Sequence, residues 1–152
     1  MRSREIVEGD ERGSHRGYLR AVGIADEEMG KPFIGVINSW NEFHPGHAHL
    51  PGLAQEIKSG IWSAGGVPFE INTISLCDGL SMGHEGMKWV LPSRDLIADS
   101  VEVAAEGNRF DGLILLASCD KIVPAMLMAA ARIDIPAILV TGGAMSPGYH
   151  RA

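Results

Sequence analysis

Leu113-Ile-Leu-Leu116, Ala117-Ser118-Cys119-Asp120-Lys121 and Ile122-Val-Pro-Ala-Met-Leu-Met-Ala-Ala-Ala131 follow one another without a break. The first is a short apolar run of buried-strand type. The last reads as a helix, with Pro124 in its first turn, where a missing N–H costs nothing. Between them a thiol, a carboxylate and an amine stand where a strand hands over to a helix. In open α/β sheets the carboxyl end of the strands is the ligand-binding edge. Cysteine suits a soft metal such as iron and aspartate a hard one such as Mg²⁺. The helix N-terminus behind them favours negative charge.

Working outward, the same alternation recurs. Phe33-Ile-Gly-Val-Ile37 reads as a strand, followed by Asn38-Ser-Trp-Asn-Glu42 and a loop, Phe43 to Leu50, that feeds a helix from about His49 to Ala64. Gly65-Gly66 reads as its C-cap. Val67 to Ser75 reads as a second strand, ending in Leu76-Cys77-Asp78-Gly79 and a Gly- and Met-rich loop to Met87. Pro92-Ser93 opens a helix ending near Gly107, with Asp95 in its first turn and Leu96, Ile97, Ser100, Val101, Val103 and Ala104 as its inward stripe. Asp111 to Ala117 is the third strand and Pro136 to Thr141 the fourth. Strand and helix alternate, so the expected class is α/β: a parallel sheet of at least four strands with helices packed over it. Polar residues and glycines fall at the same end of every strand: Asn38/Ser39, Cys77/Asp78, Cys119/Asp120/Lys121 and Thr141/Gly142/Gly143. Four separate segments aim at one edge, and the two cysteines read as standing on adjacent strand ends.

The 152 residues are enough for one domain with a real core. A formal net charge of −6 argues against nucleic acid as a partner. Two interior cysteines make no disulfide framework. The first ten residues lack a secretory h-region, and no apolar run approaches the ~20 residues of a membrane span. A cytoplasmic, reducing setting is therefore expected. Arg2 to Gly30 reads as a polar arm packed on the domain or on a partner subunit, with a short helix from His15 to Val22 and a turn at Asp26 to Glu28. Arg12, Arg16 and Arg20 within it read as a solvated face rather than an anion site.

Each candidate has a plainer reading. Asp120 serves equally as a helix N-cap and Asp78 as an Asx-turn residue before Gly79. Cys119 alone has the burial habits of a small hydrophobe. Lys121 beside two carboxylates is an ion pair, or an amine that takes up CO₂ to become an anionic carbamate ligand. His44, His47 and His49 have no cysteine pair nearby to make a structural zinc site, so substrate contact or loop bonding is the expectation for them and for His84. Neither nucleotide-binding glycine fingerprint is present.

Three long motifs, Cys77-Asp-Gly-Leu-Ser-Met-Gly-His-Glu-Gly-Met87, Leu91-Pro-Ser-Arg-Asp-Leu-Ile-Ala-Asp-Ser100 and Ser118-Cys-Asp-Lys-Ile-Val-Pro124, resemble the dihydroxy-acid dehydratases, which group with phosphogluconate and other sugar-acid dehydratases. Asn38 to Glu42, Pro45 to Leu50, Gly65 to Glu70 and Ile135 to Gly143 match as well. The resemblance runs from Ser3 to Gly148 in the family's order. It implies the N-terminal domain of a larger two-domain enzyme in which an iron–sulfur cluster and a Mg²⁺ share one site. It further implies Cys119 as a cluster ligand with Cys77 as a second candidate, and Asp78, Asp120 and carbamylated Lys121 on Mg²⁺. His47, His49 and His84 then stand on the substrate side, and a serine base lies outside this chain. The cluster expected is [2Fe–2S], with [4Fe–4S] the other form.

The implied reaction dehydrates a 2,3-dihydroxy-3-methyl acid to a 2-keto acid in valine and isoleucine synthesis, in an enzyme that is a homodimer at full length. The residues 1–152 alone are expected to be inactive. The other readings are a 6-phosphogluconate dehydratase and, in a different class, an iron–sulfur sensor or carrier. Three positions depart from the family: Gly46 stands where some relatives carry a cluster cysteine, Cys77 precedes the Mg²⁺ aspartate, and Ala125 replaces a usual glycine.

Overall fold

The computed structural model describes residues 1–150. The N-terminal arm holds α1 (Arg4–Val7), a 3₁₀ turn (Asp10–Arg12), α2 (Gly13–Ala21) and a second 3₁₀ turn (Asp26–Glu28). Then follow β1 (Phe33–Asn38), α3 (Leu50–Ser63), β2 (Val67–Asn72), the single-turn helices α4 (Asp78–Ser81) and α5 (Met87–Val90), α6 (Ser93–Gly107), β3 (Gly112–Ala117), α7 (Ile122–Ile133) and β4 (Ala137–Thr141). The four strands form one all-parallel sheet in the order β2-β1-β3-β4. The expected α/β class and strand count are both met.

Alternation along β3 decides which helix covers which face. Leu116 packs with Leu50 and Ala54 of α3. Leu113, Leu115 and Ala117 point the other way, into a larger core with Ile97, Val101 and Ala105 of α6 and Ala125, Met126 and Ala129 of α7. α3 ends as expected: Gly65 takes φ +84 and its N–H bonds to Trp62 O at 3.0 Å, while Gly66 N bonds to Ile61 O at 3.0 Å. One carboxylate ties the arm to the start of β1. Asp111 accepts from Ser3 Oγ (2.6 Å) and from the backbone N–H groups of Ser3 (3.2 Å) and Phe33 (2.8 Å). Arg12 and Arg20 pair with Glu11 and Asp26, and Arg16 donates to the carbonyls of Val7 and Gly9, so these arginines stitch the arm.

Several expectations need correction. β2 ends at Asn72, not Ser75; residues 73–77 leave the sheet. The inward face of α6 is Ile97, Ala98, Val101 and Ala105, while Leu96 and Val103 are 58% and 72% exposed. The stripe follows i, i+4, i+8 through Ile97, Val101 and Ala105 with Ala98 beside it, and Leu96 and Val103 fall off that stripe toward solvent. Asp120 is no N-cap: Lys121 holds that place and makes no capping bond. Asp78 opens α4 instead of forming a turn before Gly79. The cysteines do not follow adjacent strands, because β1 lies between β2 and β3.

Candidate metal and cluster site

The chain leaves β1 toward β2 on one side, while β3 flanks β1 on the other. The strand order therefore reverses between β1 and β3, and a crevice opens above their carboxyl ends. The loops after both strands meet there. Ser39 donates from N (3.1 Å) and Oγ (3.0 Å) to Leu116 O, which zips the β1 exit to β3. A Cβ on Gly46 would sit 3.9 Å from Cys119 Sγ and from the Cβ atoms of Ser118 and Met145.

Cys77 reaches this crevice although its strand is remote. Thr73 N donates to Asn38 O at 2.8 Å, turning the chain across the top of β1. Asn41 then ties the β1 loop to Ser75 through its side-chain amide, which also donates to His44 Nδ1 at 2.8 Å. The route ends with Cys77 and Cys119, both free thiols, close enough to influence each other. Cys119 holds φ +71. The other non-glycine residues with positive φ, Arg109 and Asp134, close α6 and α7, where a left-handed residue satisfies orphan carbonyls. Cys119 closes no helix; its strain aims the side chain. Burial pushes its thiol up to about 12, helped by Cys77 and the carboxylates of Asp78 and Asp120. Free of metal it is an unreactive thiol; a bound metal ion is what would drive the proton off.

Asp78 and Lys121 form the second half. Lys121 Nζ donates to Asp78 Oδ2 at 2.7 Å. Asp78 Oδ1 is buried and has no hydrogen-bond partner. The bond to Asp78 raises the pKa of Lys121, so the amine is held as an ammonium, the form that does not take up CO₂. Asp120 is exposed, close enough to act electrostatically on both Lys121 and Cys119. No three His, Cys, Asp or Glu side chains converge on a ready-made metal site among the described residues. An orphaned anionic oxygen still fits a hard cation, and two neighbouring thiols fit a soft one.

The histidines separate clearly. His47 is fully buried, and its Nδ1 donates to Ser39 O at 2.7 Å, so Nε2 is bare; it has no partner. Burial lowers its pKa. His49, exposed, donates Nε2 to Gly142 O at 2.8 Å and anchors the β4 exit. His84, exposed, spends both ring nitrogens within its own loop, on Leu80 O (2.6 Å) and Gly86 N (3.1 Å). Ser118 Oγ is buried and unpartnered; Gly142 must be a glycine there, since a Cβ would come within 2.4 Å of it. Arg94, in the first turn of α6, was not singled out by the sequence beyond its place in a motif. Around this edge Trp40, Phe43, Ile74, Leu80, Met82, Met87, Trp89 and Leu91 are exposed, an apolar rim of the kind that marks an interaction surface. A mostly apolar cavity of 380 Å³ lies elsewhere, between α2 and the β2 edge.

The family described as dihydroxy-acid/6-phosphogluconate dehydratase N-terminal matches residues 31–152. The chain is 60% identical over 149 residues to dihydroxy-acid dehydratase 1 of Methanosarcina acetivorans, covering 98% of this chain and 27% of that protein. It is 56% identical over 149 residues to the dihydroxy-acid dehydratase of Methanococcoides burtonii (98% and 27%). It is 55% identical over 151 residues to that of Pyrococcus abyssi (99% and 27%). The chain thus spans about a quarter of the length of the curated relatives it matches.

Proposed function

Because this chain belongs to the dihydroxy-acid/6-phosphogluconate dehydratase N-terminal family, we propose that it forms the metal-binding part of a hydro-lyase that turns a 2,3-dihydroxy-3-methyl acid into a 2-keto acid. The observation that carries the proposal is the meeting of a bare, buried Asp78 oxygen with Lys121, Asp120 and two neighbouring thiols at one switch point. In this reading Cys119 and Cys77 hold the iron–sulfur cluster, a [2Fe–2S] form in preference to [4Fe–4S]. Asp78, Asp120 and Lys121 hold Mg²⁺. Lys121 serves as a carbamate: its neutral amine adds CO₂ and loses a proton, once a cation rather than the ammonium neutralises Asp78. When bound, the two metal centres supply Lewis-acid polarisation of the 3-hydroxyl and of the carboxylate and 2-hydroxyl.

In the overall change the C3–O bond breaks with both electrons leaving on oxygen. The C2 proton goes to a base, expected as a serine outside this chain, and the enol gains a proton at C3 to become the keto acid. His47 keeps a neutral acceptor nitrogen at the loop beneath Gly46, and His49 and His84 hold the surrounding loops. The same reading places the protein in a reducing cytoplasm, the setting expected for two interior cysteines with no disulfide framework. Its homodimeric state rests on the family resemblance alone.

The test is a chimera in which this chain replaces the matching segment of the Methanosarcina acetivorans protein, reconstituted anaerobically. It should convert 2,3-dihydroxy-3-methylbutanoate to the keto acid. Turnover of 6-phosphogluconate alone would overturn the substrate assignment. A reversible redox signal without turnover of either acid would favour a sensor or carrier.

A further inference from the structure

Every described arginine but one has a partner. Arg2 pairs with Glu106, Arg4 with Glu8, Arg12 with Glu11, Arg20 with Asp26, Arg109 with Glu5 and Glu106, and Arg132 with Asp99 and Glu102. Arg16 donates to two carbonyls. Among the described residues Arg94 makes no ion pair and no hydrogen bond; its Nε is buried without an acceptor, as are Arg2 Nη1 and Arg109 Nε, but those two arginines have carboxylate partners at other nitrogens. A buried, unspent guanidinium N–H is unfavourable unless an acceptor arrives.

Topology puts this cation at the site. α6 runs back from the carboxyl edge of the sheet, so its first turn, Ser93 onward, stands at the same edge as Cys119 and Lys121. Arg94 is near enough to Lys121 for the two cations to repel. The two are not equivalent: Lys121 is spent on Asp78, whereas Arg94 has no side-chain partner among the described residues. Asp95 follows it directly yet does not pair with it. A planar fork of donors with no internal carboxylate, backed by the positive end of a 15-residue helix, matches one ligand chemistry, a carboxylate or similar planar oxyanion.

We propose that Arg94 is the anion-receiving residue of this site, its guanidinium binding the carboxylate of the hydroxy acid beside the Asp78–Lys121 pair. This deepens the proposed dehydratase reading and rests on it for the substrate class. Arg94 would fix which end of the acid faces the thiols, and so which hydroxyl lies toward them.

The test labels the chain with ¹⁵N and follows the Arg94 Nε–H resonance while 2,3-dihydroxy-3-methylbutanoate is added. A saturable shift is expected with the acid and none with the corresponding neutral triol. Arg94→Gln should weaken binding on the order of ten- to a hundredfold, the range of a charge-assisted hydrogen bond. Arg94→Lys, which keeps the charge but not the fork, should restore part of it. In the chimera the same substitutions should raise KM with a smaller effect on kcat. An unmoved resonance, or a chimera whose KM ignores Arg94→Gln, overturns the inference even while turnover upholds the dehydratase reading. A shift in a chimera that turns over neither acid does the reverse.

Discussion

Gly46→Cys adds a third thiol to the crevice, and the structure sets the cost. Gly46 has no positive φ, so an L side chain meets no backbone strain. Its Cβ would rest 3.9 Å from Cys119 Sγ, Ser118 Cβ and Met145 Cβ, all ordinary contacts. Stability should therefore change by no more than about 1 kcal/mol. Gly142→Ala, a few ångströms away, supplies the contrast. Its Cβ would fall 2.4 Å from Ser118 Oγ and 2.7 Å from Leu50 Cδ2, and Leu50 is fully buried. That overpacking should cost about 1–3 kcal/mol. The functional consequence is separate. The wild-type chain offers only Cys77 and Cys119 to a cluster whose usual ligand set is larger. After anaerobic reconstitution with iron and sulfide, Gly46→Cys should hold more iron per chain and release it more slowly to a chelator. Urea unfolding measures the first quantity and iron retention the second. If Gly46→Cys holds no more iron than wild type, or unfolds as easily as Gly142→Ala, the placement of Cys119 at the mouth of the Gly46 slot is wrong.

Burial pushes Asp111 up, but the hydrogen bonds from Ser3 and Phe33 outweigh it and hold its carboxyl below the ordinary range. Its stabilisation is present above the unfolded value of ~3.9 and is lost as pH falls through the lowered folded value. Asp111→Asn should cost about 2–3 kcal/mol near neutral pH and flatten that acid limb, as read by urea midpoints across the acid range. His47 is held neutral by burial, so the unfolded chain takes the proton first. Stability should be full above ~6.5 and decline as pH falls below it; His47→Gln, which keeps a donor for Ser39 O, should shallow that slope, and an unchanged slope would assign it to other groups such as His44. The 152 residues alone, reconstituted with iron, sulfide and Mg²⁺, should form no keto acid. Turnover comparable to the Methanosarcina acetivorans protein would place the base among His47, His49 and His84.

Strand and helix alternation, and the clustering of polar residues at one end of each strand, determined the α/β class and the functional edge from sequence. Both follow from local chemistry: apolar runs of strand length, helical spacing, and turn residues between them. The same holds for Lys121 and Asp78 as a candidate pair, because strand ends in such folds share an edge whatever the order. The order itself was not legible. Nothing local in β2 says that it pairs with β1 rather than β3, since register and neighbour choice depend on how helices cover the two faces. The approach of Cys77 to Cys119 therefore belongs to tertiary structure: Thr73 and Asn41 carry the chain over the top of β1. Tertiary structure also decided which histidine keeps a free nitrogen. His47, His49 and His84 look alike as loop residues, yet carbonyls brought from elsewhere or from their own turns leave only His47 with a bare, buried Nε2. Arg94 is the clearest case. An arginine in the first turn of a helix is unremarkable in sequence, and its meaning comes from the carboxylates that do not reach it, which only the packed chain can reveal.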